Sequence, residues 1–142
     1  MSSLLITITT PKGSLVDTEA DEISAPGALG EFGVLPGHVP FLSALRPGVL
    51  VYRKKDRSHV LAVSDGVLEV ARRADGDKVL VLVSNAILAE QIDREQAASE
   101  AAAADLELGN WKKEMGGEYK ALLTRRAWAG ARVEAAARVS PH

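Results

Sequence analysis

Residues 25–50, APGALGEFGVLPGHVPFLSALRPGVL, are the most informative part of the sequence for predicting the fold. This stretch lies well inside the chain, yet it contains the pairs Pro26-Gly27, Pro36-Gly37 and Pro47-Gly48. Such pairs are typical of tight turns, because proline fixes φ and glycine tolerates positive φ. The apolar segments between the pairs are only as long as strands. This pattern predicts a β-rich fold with rigid loops that can present a fixed surface to a partner.

Three apolar side chains in this stretch, Phe32, Val34 and Phe41, are candidate protein contacts. A loop that is rich in proline and glycine holds an apolar side chain in one place, where a partner can cover it. The alternative for each of the three is a position in the core.

Apolar and polar residues alternate on both sides of this stretch, from residue 4 to residue 84. Leu4, Ile6 and Ile8 point to one side of a strand, and the residues between them point to the other. Further runs of this kind occupy residues 14–16, 21–25, 32–35, 48–53, 59–63, 67–71 and 79–83. Alternation with a period of two predicts strands. About eight strands at this spacing predict a β-sandwich or a flattened barrel.

Two turn dipeptides, Asp65-Gly66 and Asp75-Gly76, separate the last three of these runs. Asp-Gly is favoured in two-residue hairpin loops, which need positive φ. We therefore predict that strands 59–63, 67–71 and 79–83 form a meander of tight hairpins.

The alternation stops after Asn85, and residues 86–139 contain fifteen alanines and no proline. This composition predicts helices. One helix is predicted over residues 88–108 and a second over residues 118–138, joined by a glycine-rich connection that contains Trp111. The predicted domains are a β-sandwich, residues 1–86, and a helical hairpin, residues 87–142.

The two predicted helices carry opposite charge. The first has six acidic residues and one basic residue, a net charge of −5, whereas residues 118–139 have five basic and two acidic residues, a net charge of +3. One interpretation is an antiparallel pair with complementary rims. The other is that the basic helix can leave its partner and act as a mobile regulatory arm, because alanine-rich faces bury little area. The residues alone leave both open.

Several function classes are excluded or disfavoured by composition. With 142 residues and a net charge of −2, the chain is one ordinary domain or two small ones without the basic excess that nucleic-acid binding needs. Cysteine is absent, which excludes disulfides, thiolate metal sites and thiol nucleophiles. No stretch approaches the ~18 apolar residues that span a bilayer.

Catalytic and metal sites are not indicated either. His38, His59 and His142 are not spaced as metal ligands, so we predict no metal site. Ser64 beside Asp65 lacks the Gly-x-Ser-x-Gly context of a nucleophile. We predict no catalytic residues.

The segment GEFGVLPGHVPFLSALRPGVL, residues 30–50, closely resembles the signature of the epsilon subunit family of F-type ATP synthases. TPKGSLVDTEADEISAPG, residues 10–27, is similar to the family's first strands, and SDGVLEV, residues 64–70, to a later hairpin. The alanine-rich helices resemble its C-terminal domain. The resemblance implies a flattened sandwich of about ten strands followed by an antiparallel two-helix hairpin.

The resemblance also implies function and partners. The chain would be a non-catalytic subunit of the central stalk, in contact with the gamma subunit, the c ring and the alpha and beta catalytic subunits. It would be peripheral to a bacterial plasma (inner) membrane, on the cytoplasmic side, and couple proton translocation to ATP synthesis. By analogy, Glu31 faces the c ring, and Phe32 and His38 belong to the gamma and c-ring contact.

The family implies a regulatory role for the hairpin. In many members the helices extend toward the catalytic subunits and obstruct ATP hydrolysis. Here four cations on the second helix are candidates to meet an acidic loop of a beta subunit: Lys120, Arg125, Arg126 and Arg132. An inhibitory contact of this kind should weaken with salt.

Some family members bind ATP between the helices, through an Ile/Leu-Asp-x-x-Arg-Ala motif and an arginine pair on the second helix. The corresponding candidates here are Ile92, Asp93, Ala97 and Arg132. Gln96 and Trp128 stand where the family has arginines. The loss of two cations argues against tight ATP binding, and we expect no bound cofactor.

The residues alone leave an alternative, a free-standing β-sandwich adaptor whose helical hairpin recruits an unrelated protein. Co-purification with a gamma-type coiled coil would favour the central-stalk subunit over this adaptor.

Overall fold

The structure, a computed structural model, describes residues 3–139, so His142 lies outside the described residues. The ten strands are β1 (Leu4–Thr10), β2 (Gly13–Ala20), β3 (Glu22–Gly27), β4 (Gly30–Val34), β5 (Phe41–Leu45), β6 (Gly48–Lys54), β7 (Arg57–Val63), β8 (Gly66–Arg73), β9 (Gly76–Val83) and β10 (Ala86–Leu88). A short 3-10 helix (Ala89–Gln91) follows, and then α1 (Arg94–Gly109) and α2 (Gly117–Val139).

The strands form one folded sheet in the order β10-β7-β6-β3-β5-β8-β9-β1-β2, with β4 paired to β3. The sheet turns from one layer to the other between β3 and β5, which pair only through Gly27 and Leu45. β1 and β9 are parallel, whereas the other pairs are antiparallel. A nearly closed sandwich followed by two helices confirms the predicted fold class.

Aliphatic side chains fill the space between the two layers. Leu4, Ile6 and Ile8 of β1 are fully buried, as their alternation predicts. They pack with aliphatic residues from most other strands, among them Leu50, Leu61, Leu68 and Val81. Because strand side chains alternate, every second residue of each strand is left to the outer surface.

The predicted meander is half right. β8 and β9 form the expected hairpin, and Gly76 takes the required positive φ of 127°. Asp65-Gly66 makes no hairpin, because β7 pairs with β6 and β10 while β8 pairs with β5 and β9. The chain crosses between layers there, and a Cβ on Gly66 would lie 2.0 Å from the Leu82 carbonyl oxygen. This glycine serves close backbone approach rather than a hairpin turn.

The Pro-Gly pairs also differ from one another. Only Pro36-Gly37 combines proline with a glycine of positive φ, at 87°. Pro26-Gly27 was expected to form a turn, but it lies at the end of β3. A Cβ on Gly27 would lie 2.8 Å from the Phe32 ring, so this glycine makes room for an aromatic side chain. Gly48 is simply the first residue of β6.

The first helix begins later than predicted. Residues 86–88 form β10 on β7, and residues 89–91 form the 3-10 helix, so the prediction of α-helix over residues 88–93 was wrong. Asp93 caps α1 by accepting a hydrogen bond from the Gln96 N–H at 3.0 Å, which sets the start of the helix. The second helix agrees with its prediction within one residue.

The hairpin is folded against the sandwich through α2. Ala131 and Ala135 of α2 pack on Val49, Val60 and Ala62 of the β6 and β7 surface, and Trp128 borders this cluster. α1 packs chiefly on α2. No helix within residues 3–139 is long and apolar enough to cross a membrane.

Candidate functional site

An aromatic ladder brings two of the predicted contact residues together. The Phe32 ring on β4 meets the Phe41 ring on β5 edge to face, with centroids 5.5 Å apart. Phe41 in turn lies 4.8 Å from the His38 ring. Glu31 is exposed and precedes Phe32 on the same strand, so it points to the opposite side of the sheet. The structure therefore joins Phe32 to His38 through Phe41 but leaves Glu31 apart.

His38 lies in a turn that the sequence defines. The His38 N–H donates to the Leu35 carbonyl at 3.1 Å, with Pro36 and Gly37 between them. Proline followed by a glycine of positive φ is the type II pattern. We call residues 35–40 the Gly37 loop.

Apolar side chains on and beside the Gly37 loop face solvent. Leu35 is 56% exposed, and Val39 and Leu42 are each 68% exposed. Grouped apolar exposure on a rigid loop is typical of a partner-binding surface. These three residues were not predicted from the sequence, although the same Gly/Pro signal could have identified them. Val34, a candidate contact in that analysis, is buried in the core.

A second candidate surface is the facing sides of α1 and α2, where a ladder of ion pairs joins the helices. Arg125 lies 3.5 Å from Glu107, Arg126 lies 2.6 Å from Asp105, and Arg132 lies 2.5 Å from Glu100. We call these three contacts the ion-pair ladder. It agrees with the interpretation of complementary rims. Lys120, the fourth candidate cation, is exposed.

Arg132 is the most enclosed member of the ion-pair ladder. Its side chain is 16% exposed, and its guanidinium lies 5.4 Å from the centroid of the Trp128 ring. Its Nε is buried and has no hydrogen-bond partner among residues 3–139. A charge this enclosed depends on Glu100 and on the aromatic face for its stabilisation.

Gly130 explains how a second arginine reaches its partner. A Cβ at this position would lie 2.7 Å from an Nη atom of Arg126. The missing side chain therefore leaves room for the Arg126 guanidinium on the way to Asp105. Glycine in the middle of a helix costs about 1 kcal/mol relative to alanine, and here it admits an ion pair.

Each predicted nucleotide-binding residue is buried or in contact with another part of the chain when the hairpin is folded. Ile92 packs in the apolar cluster under α2, and Asp93 caps α1. Ala97 is fully buried, and Arg132 is paired with Glu100. Their role in nucleotide binding stays a prediction. Within the described residues, no three His, Asp or Glu side chains are grouped so that they could hold a metal ion.

Tyr52 of β6 lies where the sheet meets the 3-10 helix that precedes the hairpin. Its ring stacks on His59 across β6 and β7, with centroids 4.7 Å apart. Burial raises the pKa of the Tyr52 phenol above its ordinary value of 10.0, and the negative charge of Glu90 in the 3-10 helix raises it further. The phenol thus stays neutral where the helical segment meets the sheet.

These features define a class of protein, a β-sandwich that carries an α-helical hairpin and exposes an apolar and aromatic loop. The family model described as the beta-sandwich domain of the ATP synthase Delta/Epsilon chain matches residues 3–89. An ATP synthase epsilon chain of Geobacter sp. (strain M21) is 47% identical over 105 residues, which are 74% of this chain and 73% of the relative. The epsilon chain of Thermodesulfovibrio yellowstonii is 41% identical over 104 residues, 73% of this chain and 71% of the relative. The chain belongs to the ATP synthase epsilon chain family.

Two solved structures share the fold. A chain of the Euglena gracilis mitochondrial ATP synthase, in an OSCP/F1/c-ring assembly, gives a TM-score of 0.71 at 22% identity, covering 94% of this chain and 77% of that one. A chain of the Tetrahymena thermophila mitochondrial ATP synthase, in a central stalk/c-ring assembly, gives a TM-score of 0.60 at 20% identity, covering 94% of this chain and 96% of that one. At these identities the likeness concerns the fold.

Proposed function

We propose that this chain is a non-catalytic subunit of the central stalk of an F1Fo ATP synthase, where it couples proton translocation to ATP synthesis. Its partners are the gamma subunit, the c ring and the catalytic alpha and beta subunits. The complex is attached to a bacterial inner membrane, with this chain on the cytoplasmic side. The observation that carries the proposal is the 47% identity with a curated epsilon chain over 105 residues.

The sandwich supplies the coupling contacts. The aromatic ladder from Phe32 to His38 and the exposed Leu35 and Val39 form a surface that suits the gamma subunit. Glu31, exposed on the other side of β4, suits the polar loops of the c ring. A subunit held at two surfaces can transmit torque between two partners.

The hairpin acts as a reversible brake on ATP hydrolysis. In the folded form, Arg125, Arg126 and Arg132 are each paired with an acidic residue of α1. The same cations are the candidates for the inhibitory contact with a beta subunit. One set of arginines cannot serve both partners at once, so the ion-pair ladder competes with inhibition.

A truncation tests the proposal. The chain is assembled with alpha, beta and gamma subunits, and ATP hydrolysis is compared for the full chain and for a chain ending at residue 92. That end point keeps β10, which pairs with β7, and the 3-10 helix. A chain ending at residue 139 retains both helices and is the matched control. We expect the shorter truncation to co-purify with gamma and to raise hydrolysis severalfold.

Two other results carry different meanings. If hydrolysis is unchanged while assembly is intact, the inhibitory role of the helices is rejected and only the coupling role of the sandwich remains. Failure of the full chain to co-purify with gamma would overturn the proposal and favour the adaptor alternative, for which no observation speaks at present.

A further inference from the structure

Asp77 is a buried carboxylate with no evident part in the sheet itself. It is the second residue of β9, and with Ser64 it is one of two buried polar residues within residues 3–139. The Asp77 backbone pairs with Leu4 of β1 and Arg72 of β8, so its strand pairing does not depend on its side chain. A buried carboxylate is costly unless it is paired and hydrogen-bonded.

The Asp77 side chain reaches the Gly37 loop. Its Oδ2 accepts a hydrogen bond from the Gly37 N–H at 2.6 Å, across forty positions of sequence. Its Oδ1 lies 3.7 Å from Nε of Arg72. The carboxylate is therefore shared between a loop amide and a neighbouring cation.

Arg72 completes the contact from the other side. Its Nη2 donates to the Gly37 carbonyl at 3.2 Å. The two backbone polar groups of one residue are thus held by the two members of one ion pair. We call this arrangement the Gly37 clamp, made of Asp77, Arg72 and Gly37. A hydrogen bond that involves an ionised group is stronger than one between neutral groups. Because both the N–H and the carbonyl of Gly37 are held in this way, the loop has little conformational freedom.

The Gly37 clamp holds the residues that face a partner. Leu35 and Val39 flank the clamped residue and are mostly exposed. His38 lies between them, with Nδ1 donating to the Val39 carbonyl at 2.7 Å and its ring on Phe41. A loop already ordered before binding loses less conformational entropy when the complex forms.

We propose that Asp77 and Arg72 are positioning residues for the gamma-binding surface: they fix the Gly37 loop so that Leu35, His38 and Val39 are presented to the gamma subunit in one conformation. This inference rests on the proposed function for its partner. The residues themselves lie in the β8–β9 hairpin and act through the loop, since the bonds described above join them to Gly37.

Affinity for the isolated gamma subunit, measured by calorimetry, tests the inference in the full-length chain. Asp77→Ala leaves the Gly37 N–H without its carboxylate partner, and we expect binding to weaken by about tenfold, because the loop loses a hydrogen bond to an ionised group and with it the fixed conformation. Arg72→Gln is the milder variant, because the Arg72 side chain is 61% exposed and Asp77 keeps its hydrogen bond to the Gly37 N–H. We expect it to weaken binding by a few fold.

The matched control is Asp75→Ala, a nearby exposed carboxylate that makes no hydrogen bond to the Gly37 loop in the described part of the chain. It should bind gamma as the unaltered chain does. Amide hydrogen exchange supplies a second measurement. The Gly37 and His38 amides of the free chain should exchange faster in Asp77→Ala and Arg72→Gln, while the amides of β8 and β9 keep their protection.

A double-mutant cycle separates positioning from simple destabilisation. If Asp77 acts through the loop, its substitution should cost much less affinity in a Val39→Ala background than in the unaltered chain. Equal costs in both backgrounds, or unchanged affinity for folded Asp77→Ala and Arg72→Gln, would overturn the inference. An unaltered chain that fails to bind gamma would instead overturn the proposed function, and the gamma-binding role of the clamp with it.

Discussion

Tyr52 concentrates three kinds of interaction in one side chain. It packs in the core of the sandwich, stacks on His59, and lies close enough to Glu90 for the carboxylate charge to raise its pKa. A raised pKa means that the folded state holds the phenolic proton more tightly than the unfolded chain does. The resulting stability is complete below pH 10.0, the ordinary pKa of the group, and is lost as pH rises through the higher pKa of the folded state.

Tyr52→Phe should flatten this alkaline loss of stability. The free energy of unfolding in urea, measured at pH 8 and pH 11, should fall less for Tyr52→Phe than for the unaltered chain, because the variant has no proton to lose. Tyr119→Phe is the control, since its ring packs on Trp111 in the hairpin connection. Identical slopes for the unaltered chain and Tyr52→Phe would contradict the stated cause.

At the scale of elements, the two helices of the hairpin differ in what holds them. α2 has an apolar contact with β6 and β7, whereas α1 packs on α2 through buried alanines and is joined to it by the ion-pair ladder. The Arg125–Glu107 and Arg126–Asp105 pairs are exposed, and exposed pairs contribute about 0–1 kcal/mol each, so this part of the ladder is a weak latch that modest changes can open. Because acids and arginines sit on different helices, each side of the latch can be removed separately.

The two sides of the ladder should affect hydrolysis in opposite directions. Asp105→Ala with Glu107→Ala frees two arginines without altering them, so the extended inhibitory form gains population and hydrolysis by the assembled complex should fall about two- to tenfold. Arg125→Ala with Arg126→Ala opens the same latch but removes the inhibitory cations, so hydrolysis should rise. Glu114→Ala, an exposed acid in the connection, is the control. The same direction of change for both double variants would argue against shared use of the arginines.

Sequence patterns predicted those elements whose signals are local. The alternation in β1 and the alanine content of α2 translate directly into a buried face and a helix. β10 was missed because it has only three residues and exists only through its pairing with β7. β5 was missed although it is as long as β4. Asp65-Gly66 has the composition of a hairpin turn, and only the long-range partners of β7 and β8 exclude one.

The candidate site shows the same division. Phe32 and His38 could be named from the Gly/Pro segment and the family resemblance, but their contact through Phe41 depends on how β4 and β5 are placed. Asp77 gave no sequence signal at all, since an aspartate near a turn is ordinary. Its role becomes visible only when the chain brings it to Gly37.

For the molecule as a whole, three parts of the chain follow one another in order of contact. The sandwich forms the base, α2 packs on the sandwich, and α1 packs chiefly on α2. The apolar contact of α2 with the sandwich involves no charges and is therefore not screened, whereas the ion-pair ladder is weakened by salt. Raising the ionic strength should therefore loosen α1 and leave α2 and the sandwich in place.

Raising sodium chloride from ~50 mM to ~500 mM shortens the Debye length from about 14 Å to about 4 Å, and α1 should lose amide protection severalfold as a result. Hydrogen exchange on the isolated chain measures this effect, with the amides of α2 that face β6 and β7 as the internal reference. Loss of protection in α2 to the same degree as in α1 would mean that the hairpin opens as one unit.

The parallel pairing of β1 with β9 constrains how the chain folds during synthesis. Leu4 pairs with Asp77 and Thr9 with Leu82, so β1 finds this neighbour only after β9, more than sixty residues later in the chain, has left the ribosome. Until then, β1 and β2 can form only an isolated hairpin with both edges open, which is marginal in stability and exposed to other chains. Pairings between distant residues slow folding. The helices follow the strands in the chain, so completion of the sandwich gives them a finished surface on which to dock.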